Sequence, residues 1–316
     1  MGGAFSGTRG SVQLLVLAAL TVILFAAARY VPVLGLLVSL LAPTPILLAT
    51  LQHGFRTGLL ALGLSTLSLA LLFGTLQSTI FLAEYGVMAL VMAEAIRRQW
   101  SVERTLMAST ALPAVASGAL LVLLISSVDL GAVKQHFEEH LSQALPQVLS
   151  DGGGLSDEAL RGYVQEVFGT VVQLLPALFV LSTAAGALLN YGVVRLVWGR
   201  LGNLPPLPTL TLAQWRAPEF CVWVLITSGI SSFVPLPGMR IVGLNVLLLV
   251  GLVYLVQGLG IVVFYLNRAS VPPLVRSLAY IFLVIQPLFL LGVAAFGLFD
   301  LWFDFRRTGN KQEETP

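Results

Sequence analysis

Long stretches of apolar side chains constrain this chain more than any other feature. Nine of them reach 18 residues: 11–28, 31–51, 57–76, 79–96, 105–128, 167–197, 218–236, 241–266 and 277–299. About 20 residues at 1.5 Å each cover the roughly 30 Å hydrocarbon core of a bilayer. A backbone in lipid must satisfy its own hydrogen bonds, so each run is read as a helix. The expected fold is all-α, a polytopic transmembrane helix bundle of about nine spans. Ser228, Gly229, Ser231, Ser232 and Pro235 interrupt the seventh run. If that run is re-entrant, the count is eight.

Charge placement supports the same architecture. Of 17 basic and 15 acidic side chains, four fall inside the nine runs: Glu84, Glu94, Arg195 and Glu219. Charged residues make up 10% of the chain, against about 25% in soluble proteins. A soluble enzyme, a disordered chain and a nucleic-acid binder are excluded, the last also because the net charge is only +2. The single cysteine, Cys221, has no partner within the chain for a disulfide or a cysteine-based metal site.

Lys and Arg concentrate in short cytoplasmic connections, which sets the orientation. With a cytoplasmic N-terminus, the inner connections carry Arg9, Arg56, Arg97, Arg98, Arg104, Arg195, Arg200, Arg216, Arg268 and Arg276. The outer ones carry Arg29, Lys134, Arg161 and Arg240. Nine single passes would put Arg306, Arg307 and Lys311 outside, against this trend. The expected organisation is a six-span bundle over 11–198, a cytoplasmic loop over 199–217, three additional spans over 218–300 and a polar tail over 301–316.

The connection 129–166 lies within the six-span bundle and is expected to be extracytoplasmic. Its first half places Leu130, Val133, Phe137, Leu141, Ala144 and Val148 at helical spacing, which reads as an amphipathic helix. The same stretch contains His136, Glu139 and His140 in a His-x-x-Glu-His pattern. On a helix two such histidines face one way and can hold zinc, with the glutamate as general base. No spacing selects a third ligand. The solvated face of the amphipathic helix explains these residues, so neither metal nor cofactor is expected.

Glu84 stands apart because it is the charge clearly inside a span, five residues from the outer end of the fourth run and about 8 Å deep. An ionised carboxylate there needs a partner, water or a proton. Gln77, Ser78, Tyr85, Gln173 and Asn245 fall in the outer halves of their spans, with Arg29 and Arg240 nearby in the topology. Glu84, Tyr85, Gln77, Gln173 and Asn245 are therefore candidate ligand-binding residues of a cavity opening outward. Asn190, Gln257 and Gln286 fit hydrogen bonding between helices. Phosphate-binding loops, dinucleotide fingerprints and hydrolase signatures are missing from the sequence, and no enzymatic activity is expected.

Several motifs together resemble the YybS-like family of bacterial polytopic membrane proteins. They are Ala42-Pro-Thr-Pro45 with Gly54 and Gly58, Leu175-Pro176 through Asn190-Tyr191, Trp215 with Pro218, Asn245 through Gln257-Gly258, and Asp300-Leu-Trp302-Phe-Asp304-Phe-Arg306. The resemblance covers residues from about 11 to 307. The first six spans are also similar to the substrate-binding S-components of energy-coupling-factor vitamin transporters. These likenesses imply a multi-pass protein of the bacterial cytoplasmic (inner) membrane, in contact with lipid. They further imply a small-molecule ligand and other membrane subunits or an energising module as partners. The expected function is a small-molecule-binding or transporter-like subunit; the alternative is an envelope assembly or interaction protein without a small-molecule ligand.

Overall fold

The structure, a computed structural model, describes residues 8–31, 34–124, 157–200, 207–208 and 212–306. Among these residues it is helical, without strands. The amphipathic stretch and its His136, Glu139 and His140 lie outside the described residues. The chain divides into two compact units, residues 1–137 with 179–209 and residues 138–178 with 210–316.

The first unit begins with α1 (Thr8–Tyr30), α2 (Leu34–Ser39), α3 (Pro43–His53) and α4 (Phe55–Phe73). Pro43 and Pro45 cannot donate to the preceding turn, so the second span is broken between α2 and α3. Single glycines join α3 to α4 and α4 to α5. Gly54 and Gly74 both adopt φ of 92°, a left-handed conformation that a side chain would disfavour. Gly58 leaves room for the Thr50 side chain, which fits close packing of α3 on α4. Next come α5 (Thr75–Phe81), a π turn (Leu82–Gly86), α6 (Val87–Arg97) and α7 (Val102–Leu124). The unit is completed by the second half of α8 (Asp157–Val197). The Arg29 guanidinium sits over the Phe73 ring at 5.9 Å, which brings the C-terminal ends of α1 and α4 together.

The second unit holds the first part of α8, then α9 (Phe220–Phe233), α10 (Pro237–Arg268), α11 (Pro273–Ile285) and α12 (Pro287–Phe303). Missing side chains set two of its crossings. A Cβ on Gly258 would strike the backbone of Val293, and one on Gly297 the backbone of Tyr254, so α10 and α12 meet glycine against backbone. Gly243 lies in the same way against Ser228 and Ser232 of α9. Ala217, Cys221, Val250 and Tyr254 form the buried core between these helices.

The nine apolar runs appear among the described residues as seven long helices and two shorter apolar ones, Phe220–Phe233 and Leu288–Phe303. Seven helices among the described residues are long and apolar enough to cross a membrane: Val12–Tyr30, Leu34–His53, Phe55–Phe73, Thr75–Arg97, Val102–Leu123, Gly169–Arg200 and Gly238–Arg268. The seventh run yields only the 14 residues of α9, about 21 Å of helix. It stops where Val234 turns extended before Pro235.

The ninth run is cut in two. Pro287 has no N–H and forces Gln286 out of helical geometry, to φ −110° and ψ 96°. The resulting α11 and α12 do not carry the chain away from α10. The Tyr265 hydroxyl, near the end of α10, donates to the Phe305 carbonyl just past α12 at 2.8 Å. The chain thus returns to the end of α10 that it left.

Candidate functional site

The fourth span departs from regular helix at Glu84. In the π turn Leu82–Gly86 the backbone accommodates an extra residue, which re-aims the side chains that follow. Such turns are rare and concentrate at functional sites. The span begins at Thr75, behind the Gly74 joint, so Glu84 lies nine residues into it. That is about 14 Å, near the middle of a 30 Å core rather than the 8 Å expected from the apolar run.

Glu84 is half-buried, and its carboxylate has little to hold it. The Thr183 Oγ1 is 3.5 Å from Glu84 Oε1. However, that hydroxyl has one proton, and it is better placed on the Phe179 carbonyl at 3.0 Å. No cationic side chain among the described residues pairs with Glu84. By contrast, Glu94 has Arg98 at 2.8 Å one turn on, an exposed helix-surface pair.

Tyr85, next to Glu84 in the chain, belongs to a cluster of aromatic rings. Tyr85 meets Phe25 edge to face at 5.6 Å and stacks on Phe81 at 6.0 Å, while Phe25 and Phe81 are 5.3 Å apart. Phe81 is fully buried behind the other two. Ser39, at the end of α2, lies beside the Tyr85 hydroxyl and gives its own proton to the Leu36 carbonyl. Gln77 is half-buried in α5, earlier in the same span.

Asn245 and Gln173 belong to the second unit, and the structure brings them together through a backbone group. A regular helix would bond the Ala177 N–H to the Gln173 carbonyl. Pro176 disrupts α8 at this place, and the Asn245 carboxamide replaces the missing link. Its Oδ1 accepts from the Ala177 N–H at 2.8 Å, and its Nδ2 donates to the Gln173 carbonyl at 2.7 Å and to the Ile241 carbonyl at 2.8 Å. Both amide hydrogens are thereby committed.

Asn190 does the same work in the first unit. Its Nδ2 donates to the Leu40 carbonyl, exposed by the break between α2 and α3, and to the Gly186 carbonyl, both at 2.7 Å. Its Oδ1 accepts from the Thr44 hydroxyl at 2.6 Å.

A third cluster closes the second unit. Gln257 accepts from the Ala217 N–H at 3.0 Å and donates to Asp300 at 3.1 Å. Asp300 also takes the Arg306 guanidinium at 2.6 Å, with both side chains fully buried. Arg306 reaches on to the carbonyls of Ala213 and Trp215. The network ties the loop before α9 to the turn after α12. It also gathers Arg216, Arg306 and the end of α10 at one end of the unit.

The family described as "Predicted membrane protein (DUF2232)" matches residues 19–301. The chain belongs to this family. The chain is also 22% identical over 317 residues to the "Uncharacterized protein YybS" of Bacillus subtilis (strain 168), covering 95% of this chain and 98% of that protein. No solved structure matches the chain.

Sequence reasoning missed Ser39, Thr183 and Phe25, which reach the Glu84 region from three other helices. Their types are ordinary in membrane helices and no spacing links them. The Asp300–Arg306 pair was also hidden, although an aspartate inside an apolar helix with an arginine six residues on was its available signal.

Proposed function

We propose that this DUF2232 protein is a small-molecule-binding, transporter-like subunit of the bacterial cytoplasmic membrane. In this reading Glu84 is the centre of its site, and the chain has no catalytic activity of its own. One observation carries the reading: a carboxylate nine residues, about 14 Å, inside a helix of spanning length, set in a π turn, without a cationic partner or a committed donor among the described residues. Ionisable groups at that depth are costly and mark substrate or ion paths. Transporter sites lie near the midplane where helices are irregular. Tyr85 and Gln77 belong to the same site, which opens outward. Asn245 and Gln173 are read as structural, because the Asn245 amide hydrogens are already used.

The N-terminus is taken as cytoplasmic. With α9 taken as a further crossing, α10 ends on the cytoplasmic side, and the return of the chain to that end keeps Arg306 there with Arg268. This removes the conflict with the positive-inside rule. A reporter fused after Lys311 should read cytoplasmic, and one within 152–154 extracytoplasmic. In a Cys221→Ser background, single cysteines replacing Gln77 and Tyr85 should react with a membrane-impermeant thiol reagent added from outside. Inert cysteines, together with crosslinking of the 129–166 connection to another envelope protein, would favour the assembly reading instead.

A further inference from the structure

We propose that the Glu84 site takes a protonated amine, with the ammonium on the carboxylate and its organic part against the Phe25 and Tyr85 rings. The inference rests on the reading of Glu84 as a binding centre and names the class of ligand.

Charge excludes most alternatives. The carboxylate has no cationic partner among the described residues, so an anionic ligand would bring a second negative charge into a low-dielectric site. Calcium and magnesium take six or more oxygen ligands, and zinc three or four His, Cys or carboxylate side chains. Among the described residues no group of three His, Cys, Asp or Glu side chains is close enough to hold one.

Hydrogen-bond polarity narrows the class further. The Thr183 and Ser39 hydroxyls give their protons to the Phe179 and Leu36 carbonyls, at 3.0 and 2.8 Å. What they offer to the region is lone pairs, as does Glu84 itself. Apart from the Tyr85 hydroxyl, which has the Ser39 oxygen beside it, the polar groups here are acceptors; they suit a ligand head made of donors, and an ammonium group has donors and no acceptor. The aromatic rings add a second, independent feature. Phe25 and Tyr85 are half-buried and meet edge to face, with buried Phe81 fixing them from behind. A ring face within about 6 Å of a cation attracts it, and more strongly where water is excluded. The four contributing segments come from α1, α2, the π turn and α8, all within one unit.

The test uses the purified full chain in detergent and three probes of one shape: benzylammonium, benzyl alcohol and benzoate. Benzylammonium should raise the melting temperature saturably, since a ligand that binds the folded state adds RT ln(1 + [L]/Kd). The other two probes should not. Glu84→Gln should weaken the response about tenfold or more, as expected for losing a charged hydrogen-bond partner, whereas Glu94→Gln should leave it unchanged. On the unsubstituted chain, labelling of Glu84 by a hydrophobic carbodiimide, read by mass spectrometry, should be slowed by benzylammonium alone. This arm holds even if the Glu84 variant does not fold.

A shift with benzoate or benzyl alcohol that Glu84→Gln abolishes would overturn the amine and leave Glu84 as a binding centre. A saturable shift with sodium chloride to which benzylammonium adds nothing would also overturn it, in favour of an inorganic cation. No shift with any probe, with carbodiimide labelling unaffected by all three, would overturn both readings.

Discussion

Replacing Asn245 with leucine keeps the branched shape of the side chain and removes the carboxamide that spans the break at Pro176. Two backbone groups then lose their partners, the Ala177 N–H and the Gln173 carbonyl. Ala177 is 1% exposed and Asn245 9%, so water does not readily replace the amide. A buried group left unsatisfied costs about 1–3 kcal/mol. Side-chain hydrogen bonds inside membrane proteins average only about 0.6 kcal/mol, because the unfolded state in lipid also finds partners. Weighing these, Asn245→Leu should destabilise the chain by roughly 2–4 kcal/mol. The decisive comparison is a double-mutant cycle with Pro176→Ala. Alanine removes the ring that disrupts the turn and lets α8 close its own bond from residue 177 to 173, so the leucine should then cost about 1 kcal/mol or less. Equilibrium unfolding in mixed micelles measures all four corners. Additivity within about 0.5 kcal/mol would refute the claim that the amide substitutes for a helix bond.

Three further outcomes follow from the packing. Asp300→Asn strands the Arg306 charge in a fully buried place and should cost about 3–5 kcal/mol; Asp304→Asn, at a half-exposed pair with Arg216, should cost about 1 kcal/mol or less in the same unfolding assay. Gly297→Ala places a methyl group against the Tyr254 backbone carbonyl and should cost about 1–3 kcal/mol, whereas Gly292→Ala, where a Cβ meets nothing within 4 Å, should be neutral or stabilising in the same measurement. Purified protein should hold no stoichiometric zinc by elemental analysis, and the His136→Ala, His140→Ala double variant should unfold like the parent; bound zinc lost in that variant would restore the metal reading of the connection.

The sequence by itself determined that this is a multi-pass helical membrane protein, because backbone in lipid leaves helices as the solution for long apolar runs. It also singled out Glu84, since a carboxylate away from both ends of such a run is conspicuous without any structure. It could not set the depth of that residue. Apolarity does not mark where a helix starts, and Gly74 moved the start to Thr75. Nor could it assign the polar residues. Asn245 and Glu84 look alike as polar groups at similar register, yet one is consumed by the break at Pro176, 69 residues away in the chain, and the other is left open. Only tertiary structure decided that, because hydrogen bonding is settled by which atoms meet, and backbone groups freed beside a proline are satisfied by whatever helix packs there. The ninth run shows the same division: its composition allowed a span, but the Gln286–Pro287 break and the contact of Tyr265 with Phe305 turned it back toward the end of α10.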